Sequence, residues 1–395
     1  MNSKTLTPTS SSFSRRALLG GLPATAFFVL TGCASAITNE SASPTAASDA
    51  LVSATTEATA TSEAKATSTA GSNVVPLAKA FQATLSSSLQ TQMLKDYNLA
   101  NAKLWSNFPQ ALLTNGMGGG PGGGGGARIG ISLGDLDAAQ LAAFNKLLSA
   151  VTGTAHGTGF AEIQQHLNAD DYLGDNGGGD DYGRANFYIA YLGTPADTGT
   201  WQFQFGGHHL AVANTYVDGV LGGATPSFRG IEPNGSFKQN GVTNEPMAVK
   251  EAALAALLAG LSNDQLASAL LDSVFSDLVL GPGQDWVFPT NREGVKGSTL
   301  SAAQKKLTLA AIAGYVNDID DGDAAKILAH YENELDETYI AYSGTKALTE
   351  LNDYIRIDGP SVWIELSMQH GIVLAGNHPH SVWRDRNTDY AGTKA

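Results

Sequence analysis

The chain has 395 residues, 43% of them hydrophobic, with 23 basic against 37 acidic side chains and a formal net charge of −14. That length and apolar content suffice for one large domain or two ordinary ones, while the acidic balance argues against nucleic acid as the main partner, because phosphate binding needs clustered Lys and Arg. A single Cys excludes an intramolecular disulfide framework and a Cys-based zinc site, and the 45 glycines keep no three-residue period, which excludes a collagen-like fibre.

The chain opens with Ser14-Arg15-Arg16-Ala17-Leu18-Leu19 and an apolar stretch to Leu30. The stretch is too short to span a bilayer, which takes roughly 20 residues. Paired arginines before a short apolar run resemble a twin-arginine export signal. Leu30-Thr31-Gly32-Cys33 resembles a bacterial lipobox, in which Cys33 becomes the lipidated N-terminus. Residues 1–32 are therefore expected to be a removable address. The protein is expected to be exported to the cell envelope and held on the extracytoplasmic side of a bacterial membrane, with the lipid bilayer as a partner through Cys33.

Residues 33–75 comprise that Cys and a stretch rich in Ala, Ser and Thr. Such a composition buries too little apolar area to offset its ordering entropy, so it reads as a flexible tether. From Pro76 onward Leu77, Phe81, Leu85 and Leu89 recur at helical spacing, and residues 76–395 are expected to form a single globular domain. The run Gly118 to Gly126 lacks the Gly-Lys-Ser/Thr ending of a phosphate-binding loop and reads as a plain loop.

Three segments, Leu136-Asp137-Ala138-Ala139-Gln140, Leu261-Ser262-Asn263-Asp264-Gln265 and Leu300-Ser301-Ala302-Ala303-Gln304, each read as a capping box, too irregularly spaced for a solenoid. Helices are expected near 136–151, 246–260, 263–275, 302–319 and 323–341. Alternating aromatic and β-branched residues predict strands over Asn186–Leu192, Trp201–Phe205, His209–Val217, Tyr354–Ile357, Val362–Met368 and Ile372–Leu374. Strands in two blocks with helices between them predict an α+β fold with a mainly antiparallel sheet.

Chemistry concentrates in two histidine pairs. His378 and His380 lie in Asn377-His378-Pro379-His380. In an extended segment residues i and i+2 share a side, so both imidazoles face one point. His208 and His209 follow Gly206-Gly207, and in an extended backbone they point opposite ways, so one of them is expected to join, His208 slightly before His209. Glu365 sits in an otherwise apolar strand, where an isolated carboxylate is costly unless paired or metal-bound. Imidazoles plus one carboxylate suit Zn, Cu, Fe or Mn. Asp385 or Asn377 would orient a ring, and Arg384 would hold an anionic group. The plain alternative is a polar core in which the histidines bond one another and Glu365 pairs with Arg356 or Arg384. Asp170 to Asp181 and Asp318 to Asp323 lack the oxygen spacing of an EF-hand and read as solvated loops. His330 reads as a surface residue, and His156 and His166 carry no motif.

The segments Trp201 to Leu210, Pro226-Ser227-Phe228-Arg229-Gly230 and Gly359-Pro360-Ser361-Val362-Trp363-Ile364-Glu365, with Asn377-His378-Pro379-His380 and Trp383-Arg384-Asp385, resemble a bacterial and fungal domain-of-unknown-function family, numbered 3500. The resemblance covers roughly residues 80–392. It places His208, His209, Glu365, His378, His380, Arg384 and Asp385 in the family's recognisable segments without assigning them an activity. The resulting expectation is a metal-dependent enzyme, hydrolytic or oxidative, acting on a small-molecule or peptide ligand. The alternative is a non-catalytic module that captures a metal or ligand.

Overall fold

The computed structural model describes residues 73–115 and 127–394; the twin-arginine stretch, Cys33, the tether up to Ser72 and the glycine run lie outside the described residues. Helices α1 (Val74–Thr84) and α2 (Ser87–Met93) come first, then β1 (Leu94–Lys95) and two short helices, α3 (Leu99–Ala102) and α4 (Gln110–Thr114). A first block follows: β2 (Ile131–Ser132), α5 (Ala138–Thr152), α6 (Phe160–Leu173), β3 (Tyr188–Leu192), β4 (Thr200–Gly207), β5 (Leu210–Val217), β6 (Val220–Gly223) and β7 (Ser227–Gly230). The ribbon β8 (Phe237–Gln239) and β9 (Val242–Asn244) leads to α7 (Ala248–Ala259) and α8 (Asn263–Ala269). A second block runs β10 (Val295–Lys296), α9 (Ala302–Val316), α10 (Asp321–Asn333), β11 (Tyr339–Ser343), β12 (Tyr354–Asp358), β13 (Val362–His370) and β14 (Asn377–Asp385).

The fold is α+β. One large sheet runs β1-β3-β4-β5-β7-β14-β13-β12-β11-β10, and β1–β3 is its parallel pair. One face carries Ile189, Phe205, Val212, Leu210, Ile355, Leu366 and Trp383, against which α1, α5, α6, α7, α9 and α10 pack. Among the described residues the opposite face has no such helical layer. It is covered by Trp105, Leu278, Trp286 and Tyr390, which come from loops and the chain's C-terminal end. Strands covered on both faces lose simple alternation, and for that reason β13 is buried from Val362 to Met368.

The capping boxes form as the spacing predicts. Asp137 Oδ1 accepts from Gln140 N at 2.8 Å, and Gln140 Oε1 accepts from Asp137 N at 2.9 Å; Ser262/Gln265 and Ser301/Gln304 repeat the pattern. Three expectations need correction. The helix foreseen over 263–275 stops at Ala269. The helix foreseen to 341 stops at Asn333, and Tyr339-Ile340-Ala341-Tyr342 joins the sheet. Residues Ile372–Leu374 lie in the β13–β14 connection, closed by Gly371 N donating to Gly376 O at 2.7 Å. Helix α6 escaped the apolar period because Glu162, His166 and Asp170, one turn apart, are buried polar groups on its inward face.

The two blocks are copies of one plan. Gly130-Ile131 and Gly294-Val295 open them, and each block reaches its capping box at the same interval before a helix of 15 residues. The tetrapeptide Tyr-Ile-Ala-Tyr recurs at 188–191 and 339–342. Ile131 pairs with Ile189 as Val295 pairs with Ile340. Gly130 and Gly294 both have positive φ, +101° and +112°, and a Cβ on either would sit about 2 Å from the carbonyl oxygen of that paired isoleucine. The sheet order is thus palindromic about the β7–β14 seam, where Phe228 faces Val382. Ser262/Gln265 stands between the blocks, so counting it as a third repeat hides the duplication.

Candidate metal centre

The centre forms where the first block's β4–β5 hairpin meets β14. Gly207 pairs with Leu210, so His208 and His209 are the two turn residues rather than part of an extended strand. His209 has φ +62°. That conformation costs a non-glycine residue about 1–2 kcal/mol and is where turns usually place Gly. The turn is held: His209 N donates to Asn107 O at 3.2 Å, and Gly230 N donates to His209 O at 2.8 Å. Arg128 Nη2 donates to Gly207 O at 2.6 Å and also to Ser106 O and Phe108 O.

His378 and His380 are on β14, two residues apart and on one side, as the spacing predicts. The Nε2 atoms of His378 and His380 are 3.2 Å apart, and those of His380 and His209 3.3 Å. All three ligand atoms lie within 4.8 Å of one another, and all three residues are buried. The ring that joins the pair is therefore His209, not the slightly favoured His208. Alternation does not apply inside a two-residue turn.

His208 serves the centre from behind. Its ring stacks on that of His209 at 3.7 Å between centroids, and its Nδ1 is 2.7 Å from Asp170 Oδ1. Tyr182 meets the His208 ring edge-on at 5.0 Å. Asp170, read as part of a solvated loop, is buried at the end of α6, and Asp318 is likewise buried.

Burial, and then the neighbouring imidazoles, push His209 well below the ordinary imidazole value; the same causes take His378 down to about 2. These two rings are neutral at pH 7, the form that offers a lone pair to a metal. A tetrahedral metal with bonds of 2.0–2.1 Å sets its ligand nitrogens about 3.3 Å apart. The two close separations match that spacing. The Nδ1 of His378 has no hydrogen-bond partner among the described residues.

Glu365 does not join the three imidazoles. It is fully buried, and its carboxylate accepts from Leu280 N at 2.6 Å, Val279 N at 2.8 Å and Tyr354 Oη at 2.7 Å. Burial still raises its pKa. It forms a salt bridge neither with Arg356, its cross-strand neighbour, which reaches Glu293 at 2.7 Å, nor with Arg384. Arg384 is fully buried and donates to Asp389 at 2.7 Å, Asp285 at 2.9 Å and Leu280 O at 3.2 Å, which leaves it no free face for an anionic ligand. Asp385 points to the helical side, where it accepts from Tyr331 Oη at 2.6 Å and from Asn387 N and Thr388 N. Asn377 donates to Thr349 O, away from the rings. His330 is half-exposed, with Nε2 3.1 Å from Ser361 Oγ, and His166 is buried in α6.

Sequence reasoning missed Asp277, whose Oδ1 is 3.2 Å from His380 Nδ1. It lies in a loop with no periodicity, so no local signal marks it. Asp170 carried a signal of a kind, in its one-turn spacing from His166 and Glu162.

No curated protein and no solved structure matches the chain. A profile of the family described as Protein of unknown function (DUF3500) matches residues 67–392, and the chain belongs to that family.

Proposed function

We propose that His209, His378 and His380 hold a divalent transition metal and that the protein is a metal-dependent enzyme, exported and lipid-anchored through Cys33. The supporting observation is the convergence of three buried Nε2 atoms at metal-ligand spacing. The donor count favours catalysis over mere capture. Among the described residues only these three side chains form such a group. Three protein ligands leave a fourth position for water or substrate, which is the catalytic arrangement; structural sites close all four. A metal there would lower the pKa of a bound water or bind a small oxidant. Imidazole donors suit Zn, Cu and Fe.

The test is elemental analysis of protein purified without an affinity tag, beside the double variant His378→Ala/His380→Ala. The expected result is close to one metal per chain in the wild type and none in the variant. A wild type that stays metal-free after incubation with Zn, Cu, Fe and Mn salts overturns the reading.

A further inference from the structure

Between α8 and β10 the chain runs for some distance without helix or strand beyond one isolated bridge, yet part of it is pinned tightly under the sheet. Leu280 is fully buried, and Leu278 packs against Trp105, Ala211, Phe228 and Val382. The backbone is clamped at both polarities. The Glu365 carboxylate takes the N–H groups of Val279 and Leu280, and Arg384 Nη1 donates to Leu280 O. A buried carboxylate with no ion-pair partner is costly, so these two backbone N–H groups, with the Tyr354 hydroxyl, are what keep it satisfied. The clamp sets Asp277 at the edge of the centre. Its Oδ1 accepts from Leu278 N at 2.7 Å and lies 3.2 Å from His380 Nδ1, while the side chain keeps 44% of its surface in water.

We propose that Asp277 is the positioning residue of the centre, holding His380 as the Nδ1–H tautomer so that its Nε2 lone pair faces His209 and His378, and that Glu365 and Arg384 act by docking the 277–280 strap that carries it. This rests on the metal reading above and assigns Glu365 a place outside the coordination shell. The plain alternative is a surface ion pair between Asp277 and a protonated His380. In that alternative His380 Nε2 donates to a neighbouring imidazole nitrogen, 3.2 or 3.3 Å away, and has no lone pair to offer a metal, which is the difference the tautomer measurement reads. A carboxylate on the far nitrogen of a ligating histidine fixes both tautomer and ring orientation.

The experiment uses the full chain with 15N-labelled histidine. Long-range 1H–15N spectra of the metal-free protein report the His380 tautomer, and zinc titration reports affinity, for wild type, Asp277→Asn, Asp277→Ala and Glu365→Gln. The expected wild-type spectrum shows the proton on His380 Nδ1. Asp277→Asn keeps an acceptor oxygen and should keep both the tautomer and zinc affinity within a few-fold. Asp277→Ala should lose the tautomer and weaken zinc by about 10–100-fold. Glu365→Gln should match that loss, and adding it to Asp277→Ala should cost little more. A wild-type His380 protonated on Nε2, or an Asp277→Ala affinity within twofold of wild type, overturns the proposal. Wild type that binds no zinc sinks the metal reading, whereas the tautomer result still judges Asp277 by itself. If Glu365→Gln fails to fold, the two Asp277 variants decide.

Discussion

His209 and His380 stand 171 positions apart in the chain, and their Nε2 atoms are 3.3 Å apart. Long-range contact of that kind between two buried ring nitrogens is unfavourable unless something is shared between them, either a proton or a metal ion. The metal choice has measurable consequences.

Zinc affinity is expected to vary little with pH. His378, held down to about 2, and His209, held well below the ordinary value, have no proton to release at pH 6. Affinity measured from pH 8 to pH 6 should fall by no more than about fivefold, whereas three ordinary imidazoles would lose about 60-fold. The larger loss would show that the rings are protonated in the folded chain.

The turn residue gives a second test. Both His209→Ala and His209→Gly should abolish zinc binding. At φ +62°, however, glycine is unstrained and alanine is not. The Gly variant should be the more stable by about 1 kcal/mol in urea denaturation, the reverse of the usual order. Equal stabilities would mean that the turn relaxes once the ring is gone.

A buried charge network joins the two blocks on the helical side. Lys250 Nζ donates to Glu162 at 2.6 Å and Asp318 at 2.9 Å, and Arg229 Nη2 lies 3.1 Å from Asp318. Lys250→Met leaves two buried carboxylates with a single cation and should cost about 3–5 kcal/mol. The double variant with Glu162→Gln should recover part of that loss. A single-variant loss under 1 kcal/mol would mean that water reaches the network.

Acid sensitivity should trace in part to His166. Burial first, then Arg229, holds this imidazole down to about 3. A folded-state value below the unfolded one means the unfolded chain binds the extra proton. The resulting stability is complete above about pH 6.5 and is lost as pH falls from there toward 3. His166→Gln should flatten the stability–pH slope by about 1.4 kcal/mol per pH unit across that window. Denaturation series at pH 6, 5 and 4 read the slope directly, and an unchanged slope would place the proton on His166 in the folded state.

The sequence made the sheet-and-helix plan legible wherever capping boxes and aromatic alternation were local, as at Gln140, Gln304 and Tyr354–Ile357. It was silent on α6, whose inward Glu162, His166 and Asp170 break the apolar stripe that marks a helix. At the centre, His378 and His380 were legible because a strand's period is fixed. The choice between His208 and His209 depended on whether Gly207 pairs with Leu210, a fact of strand register. Glu365 was rightly singled out as a buried carboxylate, but its partners are the backbone N–H groups of a distant loop, and composition carries no trace of those. Asp277 belongs to the same class of long-range effects.

The duplication puts His209 in one copy of the plan and His378 with His380 in the other, across the β7–β14 seam. In the equivalent hairpin of the second copy, Gly359 N donates to Val362 O and the turn carries Pro360 and Ser361, so no imidazole is duplicated there. Neither copy alone owns the full ligand set. Chelation and the closing of that seam are thus a single event: chain cut between Asn244 and Gly294 should bind zinc tightly only when both fragments are present, and the metal should act as the rivet between them.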